Sequence, residues 1–77
     1  MLIRSQDKKA LVNICISDTL YITEKYKTKG VFVIINGTDF GVYSTEAKAI
    51  KVLDMIQEAY VNGHIDYQMP EDSEVEV

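Results

Sequence analysis

The sequence predicts an α+β fold in which an antiparallel β-meander of about five strands precedes one long C-terminal helix. Several stretches rich in β-branched residues alternate between apolar and polar positions, which is the pattern of a half-buried strand. The pair Asn36-Gly37 lies between two such stretches and is typical of a type I′ hairpin, whose central residues need positive φ. The segment 45–62 then places apolar residues at helical spacing.

A polar connection separates the first two predicted strands. An apolar start runs into the six polar residues 4–9 (RSQDKK), called the knot below, and "ALVNICI" at 10–16 follows as an alternating strand. "TLYITEKYK" at 19–27 is the next strand, and the lysines at 25, 27 and 29 favour a solvated edge. We expect Cys15 to be a small buried side chain within the first of these strands.

The hairpin strands are predicted at 31–35 and around 40–43. "VFVII" is apolar at every position, which indicates a strand buried on both faces, with Val33 on one face and Phe32 on the other. Gly41 inside the return strand predicts a bulge or a close backbone approach. "HIDYQM" at 64–69 is expected to add a short final strand before Pro70.

The helix predicted at 45–62 has recognisable ends. Ser44 is a suitable N-cap, and Gly63 can end the helix in the left-handed region. One apolar stripe faces the sheet and consists of Ala49, Val52, Leu53, Ile56, Ala59 and Tyr60.

Charge divides the chain into a neutral domain and an acidic tail. The net charge is −4, and four of the twelve acidic residues lie in 71–77, so 1–70 holds eight acids and eight bases. We expect 1–70 to be a single β-rich domain and 71–77 to be disordered. A neutral domain argues against general nucleic-acid binding, which needs a basic face. No signal peptide is recognised, and no apolar run approaches the roughly 20 residues that span a bilayer, so a cytoplasmic location without membrane contact is expected.

The chain is short for a self-sufficient core. A domain of this size buries only roughly 60% of its unfolded surface. Cys15 is the only cysteine and His64 the only histidine, which excludes an internal disulfide and argues against a zinc site. Homo-oligomerisation is the remaining means of stabilisation, and a second copy would also cover the other face of 31–35. The alternative is that the strands close into a small barrel around that run.

The knot is the candidate ligand site. Its cations and hydrogen-bond donors could hold a phosphate, and aromatic side chains from other strands could stack a base beside it. The residues concerned are Arg4, Ser5, Gln6, Lys8 and Lys9, with Tyr21, Phe40 and Tyr43 as stacking partners. The alternative is a solvated turn between two strands, with the aromatics serving as core or interface packing.

The residue pattern indicates a protein that is not an enzyme and needs no cofactor or metal. The glycines of "NGTDFG" lack the lysine of a phosphate-binding loop. A Cys–His–Asp arrangement of Cys15 and His64 has no supporting spacing. No catalytic residue is assigned.

Three stretches, "IRSQDKKALVNI", "GVYSTEAKAIKVLDMIQEAY" and "YQMPEDSEVEV", resemble a family of small uncharacterised proteins from phages and prophages of Gram-positive bacteria. The family pattern reads R-S-Q-D-K, then L-G-x-Y-S-T-x-E-K-A-L-x-V-L-D-x-I, then an F-Q-M-P-like end. This chain departs from it in having Val42 after Gly41, where the pattern has a leucine before the glycine, and in having Ala47 where glutamate is frequent.

The resemblance implies a setting in the cytoplasm of a phage-infected host. Small phage proteins without enzyme motifs often act against host defence. The resemblance therefore implies an anti-defence homo-oligomer that sequesters a cyclic or ADP-ribose-type signalling nucleotide in an inter-subunit pocket. The alternative is a non-catalytic module that binds and inhibits a host defence protein or another host protein. A structural role in the phage particle is a third hypothesis.

Overall fold

The computed structural model describes residues 1–15, 17–25 and 28–77. Its elements in chain order are β1 (Leu2–Arg4), β2 (Leu11–Asn13), β3 (Leu20–Glu24), β4 (Val31–Ile35), β5 (Thr38–Tyr43), α1 (Glu46–Val61), β6 (Asp66–Gln68) and a short 3₁₀ helix (Asp72–Glu74). The predicted α+β class, the meander of about five strands, the long helix and the short final strand are confirmed. Ile16, Tyr26 and Lys27 belong to predicted strands but lie outside the described residues.

The described strands divide into two three-stranded sheets. β4 lies at the centre of an antiparallel sheet, between β3 and β5. β1 lies at the centre of the other sheet, antiparallel to β2 and parallel to β6. The alternative of a closed barrel is therefore wrong for the part of the chain that is described. The parallel pairing of β1 with β6 brings residues after the helix back beside the start of the chain.

The hairpin between β4 and β5 has the predicted turn and bulge. Asn36 and Gly37 adopt φ of 52° and 77°, as a type I′ turn requires. The strand register shifts between Val33, which pairs with Gly41 of β5, and Ile34, which pairs with Asp39 of β5. Phe40 is the extra residue of this bulge, and its side chain is 5% exposed. The bulge thus adds a large aromatic side chain to the core.

One hydrophobic core joins both sheets and the helix. The inner face of β4 contributes Val31, Val33 and Ile35, and the other members include Ile3 of β1, Ala49, Val52 and Ile56 of α1, and Met69. The helix packs against β3, β4 and β5. α1 therefore covers the inner face of residues 31–35, as the apolar stripe of the helix predicts.

The opposite face of the β3–β4–β5 sheet, called the outer face below, is only partly covered. Phe32 of β4 is half-buried, whereas Ile34 is 3% exposed. Their cross-strand partners on this face are Val42 and Tyr21, with exposures of 39% and 45%. Coverage of this face by a second copy of the chain stays a prediction.

The helix ends close to the predicted positions, with one correction. Thr45 rather than Ser44 is the N-cap, and its Oγ1 accepts a hydrogen bond from the Lys48 N–H at 3.2 Å. Gly63 follows the last turn with φ of 78°, as predicted. Tyr60, which the stripe places on the buried face, is 65% exposed because Ala59 takes the core-facing position in the last turn.

The acidic segment 71–77, predicted to be disordered, makes specific contacts in the structure. Val75 is 3% exposed and belongs to the core. The Asp72 carboxylate accepts a hydrogen bond from the Ser44 N–H at 2.7 Å and pairs with Lys48 at 3.3 Å. These contacts lower the pKa of Asp72, with the Ser44 hydrogen bond as the largest cause. The segment contains an apolar anchor that its charge content obscures.

Replacement of Val75 by Ala tests this docking. Loss of two buried methyl-sized groups at about 0.8 kcal/mol each should lower the free energy of unfolding by about 1–2 kcal/mol. The melting temperature should fall by about 4–8 °C per kcal/mol for a domain of this size. Val77→Ala is the matched control, since Val77 is 77% exposed, and it should change stability by less than about 0.5 kcal/mol. Equal melting temperatures for the two variants, measured by circular dichroism, would contradict the docking.

Candidate functional site

The knot forms a tight loop between β1 and β2. The Ser5 N–H donates to the Ala10 carbonyl at 2.9 Å, and the Lys8 N–H donates to the Ser5 carbonyl at 2.9 Å. Lys8 has a φ of 68°, which lies in the left-handed region. The predicted connection between two strands is therefore present, and its backbone is sharply turned.

A carboxylate of the chain itself occupies the inside of this loop. Asp7 Oδ1 accepts hydrogen bonds from Ser5 Oγ at 2.6 Å and from the Lys9 N–H at 2.9 Å. Ser5 Oγ in turn accepts from the Ala10 N–H at 3.0 Å. These bonds lower the pKa of Asp7, the Ser5 hydroxyl being the largest cause and the Lys9 N–H the next. Asp7 thus already engages the Ser5 hydroxyl and the Lys9 N–H, two of the donors that a phosphate could use.

Gln6 joins the knot to the free edge of β5. Its Nε2 donates to the Val42 carbonyl at 3.0 Å, and its Oε1 accepts from the Val42 N–H at 3.0 Å. Its backbone N–H donates to the Phe40 carbonyl at 2.7 Å, and Nε2 also approaches the Pro70 carbonyl at 3.2 Å. Gln6 therefore pairs with β5 much as a residue of a neighbouring strand would, and its predicted role as a ligand donor is not available in this conformation.

The three cations of the knot remain on the surface. Arg4, Lys8 and Lys9 are all exposed. The Arg4 guanidinium donates to the Lys8 carbonyl at 3.4 Å, which holds it against the loop. Among the described residues none of the three forms an ion pair within 4.0 Å. The structure therefore places the predicted cations on one loop, but Ser5 is buried and the Gln6 side chain is engaged by β5.

The predicted stacking residues do not present exposed rings beside the cations of the knot. Phe40 and Tyr43 are 5% and 1% exposed and belong to the core. The Tyr43 hydroxyl donates to the Pro70 carbonyl at 2.8 Å, and burial is the largest cause that raises its pKa. Tyr21 is accessible, but it lies on β3, whereas the knot contacts β5 at the opposite edge of the sheet. None of the three predicted aromatics therefore stacks beside these cations within the described part of a single chain.

A groove between the knot and the outer face was not predicted. It encloses about 200 Å³, and the residues that line it include Asp7, Phe32, Asp39, Phe40, Gly41 and Val42. Lys25 lies across its edge, with Nζ at 4.7 Å from the centre of the Phe32 ring and an ion pair to Asp39. The alternation of 31–35 assigns Phe32 to the outer face, but only the paired strands reveal which residues surround it.

Cys15 and His64 do not form a site with each other in the described structure. Cys15 is exposed, contrary to prediction, because it lies beyond the end of β2 on the same side as the exposed Leu11. Its N–H donates to Asp18 at 2.7 Å, and its thiol lies 3.4 Å from the Ser17 hydroxyl. His64 follows the helix, where its N–H donates to the Ala59 carbonyl. No hydrogen bond links the two side chains among the described residues.

Searches of family models, curated proteins and solved structures find no match to this chain. Within the described ranges, no group of three or more histidine, cysteine, aspartate or glutamate side chains is arranged to hold a metal ion. Within the described part of the chain, no helix has the length and apolar content needed to cross a bilayer.

The Asp7 hydrogen bonds predict a pH dependence of stability. Because the folded-state pKa of Asp7 is lowered, its contribution is fully present above the unfolded aspartate pKa of about 3.9 and is lost as pH falls below it. Asp7→Asn should therefore flatten the loss of stability between about pH 4 and pH 2, since the amide does not titrate there. Urea unfolding midpoints across this range measure the effect.

Asp54→Asn, on the exposed side of α1, is the control and should follow the wild-type curve. If Asp7→Asn also follows that curve, the carboxylate does not hold the knot in the manner described.

Proposed function

We propose that this chain is a non-catalytic binding protein that attaches to a partner protein through its outer face. The observation that supports the proposal is the exposure of apolar and aromatic side chains on that face, with Tyr21 at 45% and Val42 at 39% beside the half-buried Phe32. Aromatic residues are enriched where protein interfaces form, and clustered exposed apolar groups mark such sites. The face is also built on paired strands, so binding needs little ordering of the backbone.

The resemblance to small phage proteins supplies the class of partner. In that setting the protein acts in the host as an anti-defence protein, and the partner is a host defence protein or another host protein. Inhibition follows if the outer face covers a surface that the partner needs for its own activity. This mechanism requires no catalytic residue and no cofactor of the chain.

A second candidate function is the sequestration of a signalling nucleotide between copies of the chain. The observation in its favour is the group of three exposed cations, Arg4, Lys8 and Lys9, on one tight loop. Its aromatic partner would be Tyr21 of another copy in a homo-oligomer, because Phe40 and Tyr43 of the same chain are buried. Such a site holds phosphates by charge and remains incomplete in the monomer.

Replacement of Tyr21 by Ser tests the outer face. Removal of an exposed aromatic anchor from an interface should weaken capture of the host partner at least about tenfold, or about 1.4 kcal/mol. The matched control is Tyr60→Ser on the helix, since Tyr60 is also exposed, at 65%. Each variant is cross-linked in the host, purified natively and quantified by mass spectrometry against the wild-type protein.

Loss of one specific host protein with Tyr21→Ser, and its retention with Tyr60→Ser, is the expected result. Equal recovery with both variants would remove the outer face as the binding surface. Recovery of a nucleotide instead, lost when Arg4, Lys8 and Lys9 are changed to Ala, would favour the second candidate function.

A further inference from the structure

The groove beside the outer face combines an aromatic floor with two carboxylates. Phe32 and Val42 belong both to the groove and to the outer face, so the two surfaces are continuous. Asp7 of the knot and Asp39 of β5 both line the groove. A ligand that enters the groove therefore meets an aromatic ring and negative charge together.

Each carboxylate has one oxygen to which no described residue donates. Asp7 receives its hydrogen bonds at Oδ1, and Asp39 pairs with Lys25 through Oδ2. Within the described ranges, no donor is assigned to Asp7 Oδ2 or to Asp39 Oδ1. Two acceptors and one ring match a planar guanidinium, which has five donors in a fixed fork and stacks on aromatic faces. An ammonium supplies a single point of charge and matches this arrangement less well.

The chain already places a cation of its own at this position. Lys25 Nζ lies 4.7 Å from the centre of the Phe32 ring and pairs with Asp39. Both partners are exposed, at 41% and 46% of their side-chain surfaces. An ion pair exposed to this extent contributes little to stability, so an incoming cation can displace Lys25 readily. Lys25 thus occupies the position that a cationic ligand would take.

We propose that the groove binds an arginine side chain of a partner protein, with an apolar neighbour of that arginine resting on Tyr21 and Val42. The inference rests on the proposed function and names the chemistry of its partner. The carboxylates of Asp7 and Asp39, which both line the groove, complement the positive charge of the guanidinium. The guanidinium lies over Phe32 and donates to Asp7 and Asp39 as Lys25 moves aside.

A pair of short peptides tests the proposal directly. The probes are acetyl-Gly-Leu-Arg-Leu-Gly-amide and the same peptide with citrulline, which keeps the shape of arginine and lacks its charge. Each is titrated into the ¹⁵N-labelled full chain while the backbone amide shifts are followed. Saturable shifts at Asp39, Gly41 and Val42 are expected with the arginine peptide, and binding of the citrulline peptide should be at least about tenfold weaker.

Three variants of the chain sharpen the result. Asp39→Asn should weaken the arginine peptide about tenfold, whereas the control Asp54→Asn on α1 should leave its affinity unchanged. Lys25→Ala should bind the peptide more tightly, about two- to fivefold, because the internal competitor is gone. Equal affinities for the arginine and citrulline peptides, or shifts that avoid the groove, would overturn the proposal.

The proposed function and this inference can fail separately. If Tyr21→Ser abolishes capture of a host partner while the two peptides bind alike, the arginine assignment is wrong and the outer-face function stands. If the arginine peptide binds at Gly41 and Asp39 while Tyr21→Ser leaves capture unchanged, the groove chemistry stands without the outer-face function.

Discussion

The pairing of the Gln6 side chain with the backbone of Val42 is the contact on which the arrangement of the two sheets depends. The amide donates to the Val42 carbonyl and accepts from the Val42 N–H, both at 3.0 Å. It thereby attaches the loop after β1 to the edge of β5, across 36 positions of sequence. The same amide reaches Pro70, next to the buried Met69, so the beginning and the end of the chain meet at one side chain.

The same contacts engage most of the polar groups of the knot. Ser5, Gln6 and Asp7 use their polar groups to shape the knot and to attach it to β5, and Asp7 supplies the anion that the loop can hold. The knot is therefore a structural connection within one chain, and its cations face solvent. The Gln6 side chain has a second effect on the edge of β5. It occupies the backbone N–H and carbonyl of Val42, which would otherwise be available to pair with another strand. The outer face keeps exposed apolar and aromatic surface at Tyr21 and Val42, and Val42 pairs across the strands with the half-buried Phe32.

Local patterns in the sequence predict the elements, and long-range contacts account for what they miss. Asn36-Gly37, the bulge at Gly41 and the helix end at Gly63 each follow from the conformational needs of one or two residues, and the structure has all three. The burial of Val75 and the role of Gln6 depend on partners far away in sequence, and neither alternation nor helical spacing carries that information. Charge content obscured Val75 in particular, because two valines among four acids are typical of a solvated tail.

Native-state hydrogen exchange at the Val42 amide tests the central role of Gln6 most directly. In the wild-type protein this N–H faces an open sheet edge except for Gln6, so slow exchange is expected to depend on that one side chain. Gln6→Ala should make the Val42 amide exchange much faster, and it should lower the free energy of unfolding by about 0.5–1.5 kcal/mol, the net contribution of a typical hydrogen bond, because Val42 is 39% exposed and water can reach its freed backbone groups. Gln57→Ala, on the exposed side of α1, should change neither. Rapid exchange at Val42 in the wild-type protein, or slow exchange that survives Gln6→Ala, would contradict the account.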